Sequence, residues 1–237
     1  KIIKTFPYYK QGIPLEVIPC SVDMHLFDPD NIDMDLKKAF EKKLGIAKND
    51  IIFSYLGSVG GWYLIDEMMA FFKAISHTVP GAKFLFISPH QHQRIYLMAS
   101  KAGIPNDKII VTKAQRNEMP ALLSFSNYSV FFIKSCYSKQ ASSPTKHGEI
   151  MAMGIPVITN SGVGDVAEII KKYNSGIIME SLTELDYLKT AQLLSQKNYF
   201  DKIAIRNGAK DYFALENAVS KYRDIYNLIL NRKKMDF

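Results

Sequence analysis

From Ile51 onward, short runs of consecutive apolar residues recur: IIFSYLG, KFLFIS, KIIVT, YSVFFI, IPVIT and GIIME. A strand with one wet face alternates apolar and polar residues, whereas a run that is apolar at successive positions is buried on both faces. Between the runs lie LIDEMMAFFKAIS, QHQRIYLMASKAG, NEMPALLSFS, PTKHGEIMAMG and DVAEIIKKY, which carry helical spacing. Fully apolar strands alternating with helices are the pattern of a parallel sheet covered on both sides. Two more helices are predicted over roughly 182–196 and 201–231, the second broken near Ala214. The expected fold is therefore α/β, a doubly wound parallel sheet of about six strands.

Ahead of this alternation, EVIP (16–19) reads as a short extended piece. DLKKAFEKKLG (35–45) reads as a helix, with Leu36, Phe40 and Leu44 on one face and Gly45 as its stop. A chain of 237 residues, 47% of them hydrophobic, can bury a substantial core. One domain over 1–237 is expected, with 1–50 as lead-in segment and first helix and 215–237 as the C-terminal helix. No window approaches eighteen consecutive apolar residues, so no membrane span is predicted. KIIKTFPYYK has neither the apolar stretch of a signal peptide nor an initiating Met. The expectation is a cytoplasmic chain that begins partway through a longer protein.

Cys20 and Cys136 are far apart in apolar sequence settings and are read as reduced thiols. The net charge of +7 suits an anionic partner, or else a solvated face, since much of it sits in Lys37, Lys38, Lys42, Lys43, Arg232, Lys233 and Lys234. Nucleic-acid binding wants aromatics interleaved with Lys and Arg on one surface. Here Phe and Tyr fall within the apolar strands and helices, so no nucleic-acid partner is expected.

In doubly wound sheets ligands sit at the carboxyl ends of the strands, in loops that lead into helices. The first such loop, GSVGGWY (57–63), has Gly57, Gly60 and Gly61 for tight turns and close backbone approach. Its spacing is not that of a dinucleotide fingerprint, the next strand ends in FISPH without an acid for a ribose, and no Gly-Lys-Ser/Thr loop occurs. No nicotinamide cofactor and no NTP hydrolysis are expected. Trp62, at the start of the following helix, is read as core.

SSPTKHGEIMAMG carries more. Ser143 suits an N-cap and Pro144 a first helical position. Thr145 and Lys146 then occupy the first turn, where unpaired N–H groups and the dipole favour an anion. Glu149 lies one turn on, on a neighbouring part of the same face. A diphosphate could meet the helix start while Glu149 accepts from a ribose diol; a capped surface helix with a Lys–Glu pair is the plainer alternative. Lys134 and Lys139 flank the same loop, and Gly162 and Gly164 form the next one, where backbone could approach a sugar or phosphate. Arg116, after KIIVT, could reach a base or phosphate, or simply be solvated. His90 and His92 are not read as metal ligands, and His147 is read as a partly exposed helical residue. No acidic metal-binding cluster and no nucleophile–base arrangement is legible.

PTKHGEIMAMGIPVI followed by GVGDVAEII resembles the donor-binding half of GT-B glycosyltransferases, family four in particular. VIPCSVDMHLFDP resembles the segment that enters that half, and SYLGSVGGWY occupies the place of its first-strand glycine loop. The likeness extends from about residue 16 to residue 180. It implies a Rossmann-like sheet forming the C-terminal half of a GT-B fold, with an N-terminal acceptor domain outside this chain, so that the fragment alone is inactive. It implies transfer of a sugar from a nucleotide-diphosphate sugar, a UDP- or GDP-sugar, to an acceptor hydroxyl, with retention and without metal. The acceptor would be a glycan or lipid-linked saccharide in cell-surface polysaccharide synthesis, with peripheral contact at the inner membrane face. Lys146 and Glu149 are the catalytic candidates, Glu149 matching the second Glu of the family's paired-Glu pattern. The first Glu is replaced by Ala141, and Ser58 stands where the family has a diphosphate-binding Arg, a charge that Lys146, Lys134 or Lys139 would supply. Gly57, Ser58, Gly60, Arg116, Lys134, Lys139, Ser143, Thr145, Gly162 and Gly164 complete the expected donor site. A GT-B sugar-nucleotide epimerase and a non-catalytic nucleotide-binding module are the alternatives.

Overall fold

A computed structural model describes residues 7–195 and 200–235. Residues 1–6 and 236–237 of the expected domain, and the last residue of the helix expected over 182–196, lie outside the described residues. Six strands form one sheet: β1 (Ile51–Leu56), β2 (Ala82–Ile87), β3 (Ile109–Thr112), β4 (Ser126–Phe131), β5 (Val157–Asn160) and β6 (Gly176–Met179). Their order is β3-β2-β1-β4-β5-β6, and every neighbouring pair is parallel. The six apolar runs are these six strands. The chain order reverses between β1 and β4, so the crevice where such sheets take ligands opens between the loops after those two strands.

The helices are α1 (Met34–Leu44), α2 (Ile65–Thr78), α3 (His92–Lys101), α4 (Met119–Leu123), α5 (Thr145–Ala152), α6 (Val166–Tyr173), α7 (Glu184–Leu194), α8 (Lys202–Phe213) and α9 (Leu215–Met235). The Asp33 carboxylate starts α1 by accepting from the N–H groups of Asp35 and Leu36, and Gly45 ends it in the left-handed conformation at φ 63°. α4 is shorter than NEMPALLSFS suggests. Its first residues form a 3-10 turn over Arg116–Glu118, and Ser126 already belongs to β4, where its hydroxyl donates to Ser54 Oγ at 2.8 Å.

No ladder forms at 16–19. The lead-in chain instead pairs at Val22, which bridges Ala214 in the break between α8 and α9. Val22 N–H donates to Phe213 O at 2.8 Å, and Leu215 N–H donates to Val22 O at 3.1 Å. The helix break read from the sequence is thus a docking point for the segment that leads into the sheet.

Gly176 marks how tightly β6 lies on β5: a Cβ there would stand 1.9 Å from Val157 O. Neither backbone can move without breaking the ladder, and overpacking of this kind costs about 1–3 kcal/mol. Gly176→Ala should therefore lower the denaturant midpoint without changing the slope of the transition, as read by urea unfolding.

Candidate functional site

β1 ends at Leu56, and Gly57 turns the chain at φ 134°, a conformation closed to other residues. The loop then runs back across the end of β4: Leu64 N–H donates to Phe132 O at 2.9 Å, Lys134 N–H to Trp62 O at 2.9 Å, and Tyr63 bridges Ile133. That return path brings Tyr63 beside Tyr55, ring edge to ring face at 5.8 Å. The Tyr55 hydroxyl donates to Ser58 O at 2.6 Å and so pins the loop to the strand below it.

Lys146 fills the space between these rings. Its Nζ lies 3.8 Å from the centre of the Tyr63 ring and 4.5 Å from that of Tyr55, with Phe131 at 6.0 Å. Gly57 forms the roof, where a Cβ would come within 2.7 Å of Nζ. The amine is buried and has no hydrogen-bond partner among the described residues. Cation–π attraction replaces only part of the lost hydration, so burial pushes Lys146 down to about 7, with Glu149 pulling the other way. The sequence placed Lys146 at an open helix mouth; the structure places it beneath the glycine loop.

α5 begins at Thr145 with Pro144 as its N-cap and no side-chain cap. Ser143 is not the cap. Its Oγ accepts from Cys20 N–H at 3.1 Å, tying the helix start to the lead-in chain. The N–H groups of Thr145 and Lys146 have no acceptor among the described residues, so two donors face outward at the positive end of the helix. Thr145 itself is exposed.

One turn on, the Glu149 side chain is 6% exposed and pairs with Arg116, whose Nη1 donates to Oε1. Arg116 reaches across from the 3-10 turn after β3 and lies over the Phe27 ring at 4.9 Å. Neither a role for Phe27 beside Arg116 nor the tyrosine box was read from the sequence. The signals were the Phe of LFDP, carried only as part of the resemblance, Tyr55 within an apolar run and Tyr63 at the end of the glycine loop.

The remaining predicted residues separate. Lys139 lies over the exposed Trp62 ring at 4.7 Å, so Trp62 is a surface platform ahead of α2 rather than core. Lys134, Ser58 and Gly162 are exposed in the loops at this end of the sheet, and Gly60 turns at φ 96°. Gly164 donates its N–H to Lys139 O at 2.8 Å, and a Cβ there would stand 1.9 Å from Ser142 O. The close approach it allows in this structure is to this chain's own loop. His147 is fully buried, between the edges of Phe131 and Phe213 at 6.0 and 5.3 Å, where the sequence suggested partial exposure. Burial holds its imidazole down to about 3, so it stays neutral. Cys20 is exposed rather than in an apolar setting; it and Cys136 are both free. Hydrogen bonds to the sulfur and to the nearby backbone, led by Ser138, pull the Cys136 thiol below its usual range. His92 Nε2 bonds Ser88 O at 2.8 Å. Among the described residues no group of three or more His, Cys, Asp or Glu could hold a metal ion. Also among them, no helix is long and apolar enough to cross a membrane.

The two buried bases give stability two separate pH windows. The unfolded chain holds a proton on His147 up to about pH 6.5 and on Lys146 up to about 10.4, while the folded chain releases them at about 3 and about 7. The unfolded state thus binds more protons in each window, and stability rises with pH through both. From pH 7 to pH 9 the Lys146 contribution amounts to about 2–3 kcal/mol. Urea unfolding across that range should show the rise, and Lys146→Met should abolish it while leaving the slope below pH 6.5.

A search of curated proteins finds no sequence match. Among solved structures, a glycosyltransferase from Rickettsia africae superposes with TM-score 0.75 at 19% identity over 91% of this chain and 57% of that one. WaaG, a glycosyltransferase of lipopolysaccharide biosynthesis, superposes with TM-score 0.68 at 14% identity over 89% of this chain and 55% of that one. Anabaena HepE in complex with UDP-glucose gives TM-score 0.68 at 14% identity over 91% and 57%. The chain spans a little over half the length of each of these, and identity at this level shows shared fold alone. The family described as glycosyl transferases group 1 matches residues 37–211, which takes in all six strands and the Arg116, Lys146 and Glu149 cluster. With most of its length matched, this chain belongs to the group 1 glycosyl transferases.

Proposed function

We propose that this chain binds a nucleoside-diphosphate sugar and forms the donor half of an enzyme that moves the sugar to an acceptor hydroxyl. The observation that carries the reading is the start of α5. Two outward N–H groups and a buried, unpaired amine lie one turn from a buried carboxylate. The diphosphate occupies the helix start, beside the loop at Gly57 that covers Lys146 Nζ, and Glu149 accepts from the ribose. As the bond from the sugar carbon to the diphosphate oxygen breaks, its electron pair stays on that oxygen. A negative oxygen beside Lys146 favours the protonated amine, so the charge is countered where it develops.

In this reading the leaving group is stabilised without a metal, the donor is a UDP- or GDP-sugar, and the anomeric configuration is retained. That HepE was determined with UDP-glucose supports a uridine donor by likeness of fold only. The acceptor, a glycan or lipid-linked saccharide of cell-surface polysaccharide synthesis, is held by a separate N-terminal half at the inner membrane face. The exposed stripe Leu215, Val219, Tyr222, Tyr226 and Ile229 on α9, spaced four and three apart, is a fitting surface for such a half to cover.

Calorimetry with UDP, GDP, ADP and their sugars tests the donor site. Charge-assisted bonds are worth about 1.5–3 kcal/mol each, so Lys146→Ala and Glu149→Ala should each weaken the best ligand by about tenfold or more. Chelator should leave the affinity unchanged. If neither substitution weakens that ligand, the assignment is wrong.

A further inference from the structure

Resting on this donor reading, the pair between Arg116 and Glu149 has a more specific consequence. We propose that Arg116 is a positioning residue that holds the Glu149 carboxylate for the ribose and does not itself touch the donor. Arg116 thereby sets the preference of the site for ribonucleotides over deoxyribonucleotides.

A carboxylate as buried as Glu149 is costly without a partner, and among the described residues its one partner is Arg116 through Oε1. The second oxygen, Oε2, takes no bond from any described residue, so it is the atom left to accept from a ribose hydroxyl. An arginine as exposed as Arg116 would ordinarily gain little from an ion pair, because its side chain is free to wander. Here it is held at three points. Its turn is fixed by a capping box, in which Glu118 Oε2 accepts from Gln115 N–H at 2.7 Å. Its guanidinium face rests on Phe27, and its Nη1 is committed to Glu149.

Phe27 is in turn held from α8. Arg206 Nη1 donates to Phe27 O at 2.7 Å and Nη2 to Met24 O at 3.3 Å, while Nη2 pairs with Asp28 at 2.7 Å. The VDMHLFDP segment therefore has work in the site: it supplies the platform that keeps Arg116 aimed.

The test compares binding of a nucleoside diphosphate with its 2′-deoxy counterpart, for UDP and GDP, by calorimetry on wild type and variants. Wild type should favour the ribonucleotide by about tenfold, the worth of one charge-assisted bond. Arg116→Ala should weaken the ribonucleotide about five- to tenfold and leave the deoxynucleotide within about twofold, collapsing the ratio to that of Glu149→Gln. Arg116→Lys should restore part of the ratio, and Phe27→Leu, which keeps the arginine but removes the ring, should give an intermediate one. Equal weakening of both nucleotides would mean that Arg116 contacts phosphate or base directly. Tighter ribonucleotide binding in Arg116→Ala would mean that it competes with the ribose. Either result, or an unchanged ratio in variants of normal melting temperature, overturns the proposal while the donor reading stands. If wild type binds no nucleoside diphosphate, the donor reading fails and this inference falls with it.

Discussion

Lys146 carries an amine out of reach of solvent, and the loops around it are arranged to make that tolerable. Two tyrosine faces and a phenylalanine give it diffuse negative charge in place of hydrogen bonds. Those rings can converge only because the loop after β1 doubles back over β4 and delivers Tyr63 opposite Tyr55. The loop can double back only because residue 57 lacks a side chain, since anything larger would strike the amine and force φ from 134°. Sheet order, glycine position and the two tyrosines are therefore one constraint seen from different elements. The same enclosure leaves the amine closed off beneath Gly57.

The carboxylate beside it is controlled from further away. Arg206 in α8 fastens the backbone of the lead-in segment, that segment sets Phe27, Phe27 carries Arg116, and Arg116 holds Glu149. Residues about 180 positions apart in sequence thus meet through one short stretch of chain. Arg206 Nη1 also donates to Ala152 O at 2.5 Å, so the last turn of α5 is fastened from the same point. The helix that carries Lys146 and Glu149 is thus fixed at both ends, by Ser143 with Cys20 at the front and Arg206 at the rear.

The sheet was legible because burial on both faces forces apolar residues at consecutive positions, a signal local to each strand. The helix ends at Gly45 and near Ala214 were legible for similar reasons. What sequence could not give was the direction in which α5 points its side chains. TKHGE reads as the polar start of a surface helix, and Ser143 before Pro144 reads as its cap, because both readings consider only neighbours in sequence. Ser143 is taken by Cys20, and His147 by Phe131 and Phe213, partners that only the fold brings near. Trp62 failed in the opposite sense. A lone tryptophan is usually core, but the return of the loop along β4 turns it outward under Lys139. Arg116 and Glu149 were each singled out, yet their pairing was not, since no spacing rule links residues on separate elements.

The four residues Lys146 to Glu149 are all buried, although three of them are polar, and helical geometry explains how. Residues three apart share a face, so Lys146 and Glu149 both lie toward the strand-end loops. His147 and Gly148 fall on the opposite side, where Phe213 meets the imidazole edge and a Cβ at 148 would come within 3.0 Å of the same ring. One side of α5 thus packs against α8 through a histidine kept neutral and a glycine kept bare. The other side holds a cation and an anion out of water. From Lys146 to Ala152 every residue of α5 is buried, and only Thr145 at its start is left to solvent. An amine without a hydrogen bond in such a place destabilises the fold. Groups whose ionisation burial shifts this far cluster at functional sites, and this one stands at the start of α5 beneath the loop after β1.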